Sequence, residues 1–255
     1  MKRCGIDISR HQGDFDLSRA KSEGFDFVIL KAGGGDDGLY RDARFEENYR
    51  RAKELGMDVG AYFFSFACTE EEAREEADFF AELLRGKTFS LPVYMDVESR
   101  KQRVLGKRQL TDVIHAFCQR MEAQNFWAGI YSAKSYFADC MLDDELQRYA
   151  HWVAQWYPEC TYDGTCGMWQ YGGELNPIRT NRVAGVVCDQ DYMLTDYPKL
   201  IPETGLNGFG KLPLDEIARQ VYRGEWGNNP QRRQRLEAAG YDFGAVQRRV
   251  KELYY

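Results

Sequence analysis

Short runs of apolar, β-branched and aromatic residues recur along the first three quarters of the chain: Cys4–Ser9, Phe27–Ala32, Val59–Ala67, Leu91–Val97, Trp127–Ser132, His151–Trp156, Gly167–Tyr171 and Val186–Tyr192. Each has the length and residue types of a strand. Between the early runs, Asp42–Leu55 stops at Gly56 and Thr69–Leu84 stops at Gly86, and both carry a helical apolar period. Thr69 with Glu72 three residues on forms a capping box at the second helix start. Eight strand runs alternating with helices predict an α/β fold, an irregular TIM-like (β/α) barrel whose helices thin out after Ala123.

The pattern then changes. Ile201–Gly210 is rich in glycine and helix breakers, and after it Pro213–Arg223, Pro230–Ala239 and Asp242–Leu253 read as three short helices. Their apolar positions, Ile217, Val221, Trp226, Leu236, Tyr241, Val246, Val250 and Leu253, predict one small core. The expected layout is a barrel over residues 1–200, a linker over 201–210 and an all-α three-helix module over 211–255. A module of that size is at the edge of what folds alone.

Composition excludes some classes. With 255 residues, 44% hydrophobic and 29% charged, the chain is neither disordered nor a disulfide miniprotein. No apolar run approaches a membrane span, and Met1–Asp7 leads straight into strand-like sequence, so neither membrane insertion nor an export signal is expected and synthesis is placed in the cytoplasm. The net charge of −6 is unevenly shared: residues 205–255 hold 9 Lys/Arg against 6 Asp/Glu, leaving 25 against 34 before them. The acidic part is a poor nucleic-acid binder, and only the basic tail keeps that reading open as an alternative. The seven cysteines form no CxxC pair. Cys160 and Cys166 bracket an Asp163-Gly164 turn signal, which allows them to face each other across a hairpin, as thiols in a reducing compartment or as a bridge outside it.

The richest run for chemistry is Leu91–Glu98, an apolar strand ending in Asp96 and Glu98. Alternation sends both carboxylates to one side, with Cα atoms about 6–7 Å apart at 3.3 Å rise per residue. In a barrel that side, near the strand's C-terminal end, is the mouth. Repulsion and desolvation hold a proton on one of two such acids, which is the state a glycosidase acid needs. Asp7 in the first strand and Asp189 and Asp191 in the last converge there if the barrel closes. Tyr62, Phe64, Tyr94, Tyr131, Trp156 and Trp169 lie in or beside strands and offer faces to sugar rings, although core packing accounts for any one of them equally well. His11, four residues after Asp7, is placed to line the mouth, whereas His115 reads as an ordinary helix residue.

Other motifs are weaker. Gly33–Gly38 matches GxGxxG, yet two aspartates inside the loop would repel a pyrophosphate. The three histidines lack zinc spacing, no GxSxG is present, and no local motif recommends a Cys–His pair. No metal or cofactor is implied.

In order along the chain, Asp7–Gly13, Asp42 with Phe45 and Asn48, Gly60-Ala61-Tyr62, Met95–Glu98, Ile130-Tyr131-Ser132, Trp152-Val153-Ala154, Trp169-Gln170-Tyr171 and Asp189-Gln190-Asp191 resemble the motifs of family 25 glycoside hydrolases, across about residues 4–197. The resemblance implies a lysozyme that cuts peptidoglycan at the β-1,4 bond from N-acetylmuramic acid to N-acetylglucosamine with retention. It also implies Glu98 as proton donor, Asp96 orienting or stabilising the 2-acetamido group as it attacks the anomeric carbon, and Asp7 and Asp189 completing the cluster. A direct carboxylate nucleophile is the other assignment. The chain departs from the family pattern in three places. Asp191 stands where Asn is commoner, Gly33-Gly34 where Thr-Glu often follows Lys31-Ala32, and Phe63 where His is frequent, and the last two are expected to alter subsites.

The tail resembles the cell-wall-binding repeat type seven of phage lysins, in Leu214–Arg219, Gly224–Asn228, Arg235-Leu236, Ala238–Asp242 and Val246–Val250. That resemblance implies binding of the peptidoglycan disaccharide-peptide unit, with Arg223, Arg235 and Trp226 as candidate contacts. The expected whole is an endolysin that reaches the wall once the membrane is permeabilised; a catalytically weak wall-binding protein is the alternative.

Overall fold

The structure is a computed structural model that describes residues 3–255, so Met1 and Lys2, at the start of the expected barrel, lie outside the described residues. In chain order the strands are β1 (Arg3–Ile8), β2 (Phe27–Gly34), β3 (Tyr40–Arg41), β4 (Asp58–Phe64), β5 (Val93–Asp96), β6 (Ala128–Ala133), β7 (Ala150–Ala154), β8 (Met168–Gly172), β9 (Arg182–Val183), β10 (Val186–Val187) and β11 (Asp189–Met193). The barrel follows the order β1-β2-β4-β5-β6-β7-β8-β11 and closes from β11 back to β1. All these pairs are parallel except β8–β11 and β11–β1, which are antiparallel. The eight expected strand runs are thus the eight staves, and the irregularity of the second half lies in the reversed closing strand.

Alternation of side chains builds two cores from one sheet. Phe27, Ile29, Tyr94, Trp152, Met168 and Met193 point into the barrel. Val28, Leu30, Val93, Met95, Ile130 and Val153 point outward. Helices α1 (Leu17–Ser22), α2 (Phe45–Glu54), α3 (Glu70–Leu84), α4 (Arg100–Arg103) and α5 (Lys107–Ala123) supply the outer layer of the first half, followed by the short α6 (Lys134–Cys140) and α7 (Asp143–Leu146). The expected capping box is present: Glu72 N–H donates to Thr69 Oγ1 at 3.2 Å and Thr69 N–H to the Glu72 carboxylate at 3.1 Å. Where helices thin out, Trp169, Tyr171 and Tyr192 pack on one another against the outer face of β8 and β11, with Tyr171 and Tyr192 stacked at 4.3 Å.

Two glycines make room for the inner aromatics. A Cβ on Gly5 would sit 2.1 Å from the Phe27 ring, and one on Gly129 would sit 2.5 Å from the Tyr94 ring and 2.8 Å from the Ala150 carbonyl oxygen. Gly129→Ala is therefore expected to destabilise by about 3 kcal/mol, since neither a buried ring nor a strand carbonyl yields easily. Thermal or urea unfolding checks it, and a stability equal to the parent's would refute the close packing.

The stretch 201–210 is not the open linker its composition suggests. Ile201–Thr204 completes helix α8 (Tyr197–Thr204), whose Tyr197 and Ile201 close the inner core. Asn207 is buried: its Oδ1 accepts Trp127 N–H at 2.7 Å and its Nδ2 donates to the Leu91 carbonyl at 2.8 Å. The glycines shape a plug for the barrel's N-terminal end. Beyond it, α9 (Leu214–Tyr222), α10 (Gln231–Ala238) and α11 (Phe243–Tyr254) enclose Ile217, Val221, Trp226, Leu236, Tyr241, Val246 and Val250, with Leu253 packed at the edge.

Candidate active site

At the C-terminal ends of the parallel strands, where the reversed β11 begins, a recess of about 230 Å³ is lined by Asp7, Lys31, Asp96, Glu98 and Asp189 together with Tyr62, Phe64, Tyr131, Trp152, Gln170 and His11, among others. Strand register explains the meeting. Asp7 lies directly opposite Asp189 across β1–β11, and Asp96 lies between Phe64 on β4 and Tyr131 on β6. Glu98, two residues beyond Asp96, reaches the same recess, as expected for side chains of one parity. Its backbone is held beyond the strand end: Val97 N–H donates to the Tyr131 carbonyl at 2.9 Å, and the Tyr136 hydroxyl donates to the Glu98 carbonyl at 3.1 Å.

The electrostatics are those of crowded acids around one ammonium group. Burial raises the Asp96 carboxyl well above its ordinary range, the neighbouring Glu98 adds to this, and Lys31 opposes it. Glu98 opens to solvent on one side but is walled by protein on the others, and this desolvation raises its carboxyl, again against Lys31. Asp7 is raised by burial and by Asp189 and Asp191, and opposed by a 2.9 Å hydrogen bond from Gln170 Nε2. Asp189 is pushed up to about 6 by burial and by the charges of Glu98 and Glu174. So many carboxyls cannot all be ionised together, and the site retains protons at mildly acidic pH.

Asp191 lies beneath the recess, fully buried. Its Oδ1 accepts Trp152 Nε1–H at 2.8 Å, and its carboxyl also lies within hydrogen-bonding reach of Asp7. Burial raises its carboxyl first, and the Asp189 charge adds to this. Asp191→Asn keeps the acceptor for Trp152 and removes a buried charge, so a gain of about 1–3 kcal/mol is expected. The raised folded pKa gives the sign: the acid's cost to the fold appears as pH rises, so the gain is largest near neutrality and disappears near pH 4. Thermal unfolding at both pH values measures it; an equal or negative difference at neutral pH would refute it.

Several expected contacts fall elsewhere. Tyr94 shares the parity of Asp96 but sits one layer deeper, fully buried against Trp152, with a hydroxyl that has no partner among the described residues. Trp169 has the opposite parity and faces outward, donating to the Gln155 carbonyl at 2.8 Å. Neither reaches the recess. Trp156 stands at its rim, 37% exposed, with Nε1–H donating to Gln170 Oε1 at 3.1 Å. Phe63, expected to alter a subsite, faces outward into the packing of Phe80 and Phe117. Gly33 and Gly34 end β2, and the chain folds back as a hairpin to β3 instead of entering a helix, which removes the dinucleotide geometry. There a Cβ on Gly34 would lie 2.8 Å from the Tyr40 hydroxyl, so Tyr40 fills the space of a larger residue.

In the helical module Trp226 is a core residue, 7% exposed, its Nε1–H donating to Gln220 Oε1 at 2.9 Å. Arg235 lies over its ring at 5.7 Å, and Arg223 is paired with Glu225 and Glu216. The packing of Trp226 removes it as a surface contact. Cys160 and Cys166 do face each other as thiols, and the neighbouring Cys160 raises the Cys166 thiol.

Six residues of the recess were not anticipated as site residues: Ile8, Ser9 and Gln12 beside Asp7 and His11, and Lys31, Trp152 and Gln170. Lys31 carried a signal, since it is the one charge in the apolar run Phe27–Ala32 and shares the inward parity of Phe27 and Ile29. Gln170 joins the site as a hub, donating to Asp7 and accepting from Tyr131 and Trp156.

Comparison with known proteins agrees with this geometry. Residues 6–177 match the family described as glycosyl hydrolases family 25, and residues 215–254 match the CW_7 repeat. The chain belongs to glycosyl hydrolase family 25. It is 30% identical over 207 residues to Lysozyme M1 of Streptomyces globisporus, covering 73% of this chain and 65% of that protein, just under two thirds of its length. The lysozyme of Streptococcus phage Cp-7 is 25% identical over 253 residues, covering 97% of this chain and 69% of that one. Among solved structures, the bacterial lysozyme of Streptomyces coelicolor superposes with a TM-score of 0.65 at 26% identity, covering 82% of this chain and 99% of that chain.

Proposed function

We propose that this family 25 chain is a peptidoglycan muramidase of the endolysin type that cleaves the β-1,4 bond between N-acetylmuramic acid and N-acetylglucosamine with retention. The observation that carries the reading is the meeting of Asp7, Asp96, Glu98 and Asp189 around Lys31 at the mouth of one barrel. Glu98, whose carboxyl is raised by desolvation at the wall of the recess, donates its proton to the glycosidic oxygen as the C1–O bond breaks. Asp96 holds the 2-acetamido group so that its carbonyl oxygen bonds to C1 in place of the leaving group. Water then attacks C1, giving its proton to the Glu98 carboxylate, and the acetamide is restored with the original anomeric configuration. Asp7 and Asp189 supply negative potential where positive charge develops at the ring.

Residues 211–255 are assigned the wall-binding part. Tethering the barrel to an insoluble polymer raises the local concentration of bonds it can cut without new contacts in the recess. The site of action is the bacterial cell wall, reached after the membrane is permeabilised, and no helix among the described residues is long and apolar enough to cross a membrane.

Mass spectrometry of fragments from digested wall tests the bond assignment. New reducing muramic acid ends are expected. New reducing glucosamine ends, or released peptides, would overturn it.

A further inference from the structure

One wall of the recess continues outward as two packed rings with a cation at each end. Lys31 Nζ lies over the Phe64 ring at 4.5 Å, Phe64 packs against Phe66 at 5.1 Å, and Lys101 Nζ lies over Phe66 at 5.5 Å. The inner end of this series is part of the recess, since Lys31 and Phe64 both line it beside Asp96 and Glu98. The outer end is exposed, on the short helix α4 that follows Glu98. Among the described residues neither ammonium group has a carboxylate within 4.0 Å, whereas Glu70, Arg74, Asp78 and Glu82 on the neighbouring α3 are ion-paired.

The wall is fixed from behind. Glu76, a buried acid on α3, accepts the Phe66 N–H at 2.9 Å and the Ser65 hydroxyl at 2.5 Å. Gln102 Nε2 donates to Ser65 Oγ and to the Ala67 carbonyl, both at 3.1 Å. A carboxylate and an amide, both buried, are thus committed to the backbone around Phe66, a side chain that is itself only half-buried. Glu72, the other nearby acid, is occupied by the Cys68 and Thr69 N–H groups. The surface these bonds hold in place is apolar at its middle and cationic at its outer end.

Resting on the muramidase reading, we propose that Phe64, Phe66 and Lys101 form a subsite for an acidic peptide attached to the sugar bound across Asp96 and Glu98. The rings take the apolar side chain nearest the sugar, and the Lys101 ammonium takes a peptide carboxylate farther out. A purely saccharide groove has no use for an unpaired cation at that distance from the scissile bond. A peptide-bearing glycan presents a carboxylate there.

The test compares two synthetic glycan oligomers, one bearing its stem peptides and one without them, both free of phosphate. Lys101→Ala is expected to raise KM about threefold and Lys101→Glu about tenfold on the peptide-bearing oligomer, with kcat unchanged. On the peptide-free oligomer both variants match the parent. The KM gap on the peptide-bearing oligomer should also shrink as salt rises, because an exposed ion pair is screened. Equal effects on both oligomers, or none on either, overturn the subsite. Failure of the parent protein to cut either oligomer is a different result, which overturns the muramidase reading and the subsite with it.

Discussion

Glu98→Gln is expected to lower kcat by about 10²–10⁴-fold with KM little changed, because it removes the proton and keeps the shape. The Glu98 carboxyl is open to the recess on one side, and its backbone is fixed by the bonds around Val97 and Tyr136. An amide there leaves the fold undisturbed. Binding of the variant to purified wall should match the parent's, since residues 211–255 enclose their own core. The pH profile carries a second mark. Burial raises Glu98, so the protonated form persists above the ordinary carboxyl range and the parent's rate falls only as pH climbs through that raised value. The residual rate of the Gln variant should lack this alkaline limb. Turbidity clearing of wall suspensions, followed from acidic to neutral pH, measures both, and an active Gln variant with an unaltered profile would remove Glu98 from the proposed chemistry.

Strand identity and order could be read from the chain because parallel staves buried on both faces are written as uninterrupted apolar runs. Which face a given residue takes was harder to read. Tyr94 and Asp96 have the same parity, and only the depth of the barrel separates a core ring from a site carboxylate. Trp169 and Gln170 are neighbours of opposite parity in a run that does not say which side is inside. The outward aromatics make sense only once the helices are seen to thin out over β8 and β11, leaving rings to cover that face. The reversed direction of β11 was likewise invisible, since Val186–Tyr192 alternates equally well either way. At Ile201–Gly210, glycine and proline content pointed to an open linker, but Asn207 uses the same turns to reach the Trp127 and Leu91 backbones. Composition reports the shape of a backbone, and burial depends on what that shape meets.

Asp96→Asn is expected to separate stability from catalysis at one residue. Asp96 is buried, its Oδ1 has no hydrogen-bond partner among the described residues, and it shares the recess with Glu98. Such an acid opposes folding whenever it is ionised. With its folded pKa raised well above the ordinary value, its contribution to stability is lost as pH rises through that pKa, so the parent is penalised near neutrality and not near pH 4. The amide should therefore be more stable at neutral pH by about 1–3 kcal/mol, with the gain vanishing on acidification. Turnover should move the other way, by about 10²–10³-fold in kcat, because the amide no longer supplies negative charge to the acetamido group as its carbonyl oxygen closes on C1. A variant both more stable and nearly inactive follows if Asp96 is kept for its charge in the transition state, in the manner of stability yielded for function. Unfolding by urea at two pH values, set beside kcat on peptide-free glycan, decides it. An Asn variant that is less stable at neutral pH would make Asp96 a structural acid, and one that keeps full turnover would move the acetamide-orienting role to Asp7 or Asp189.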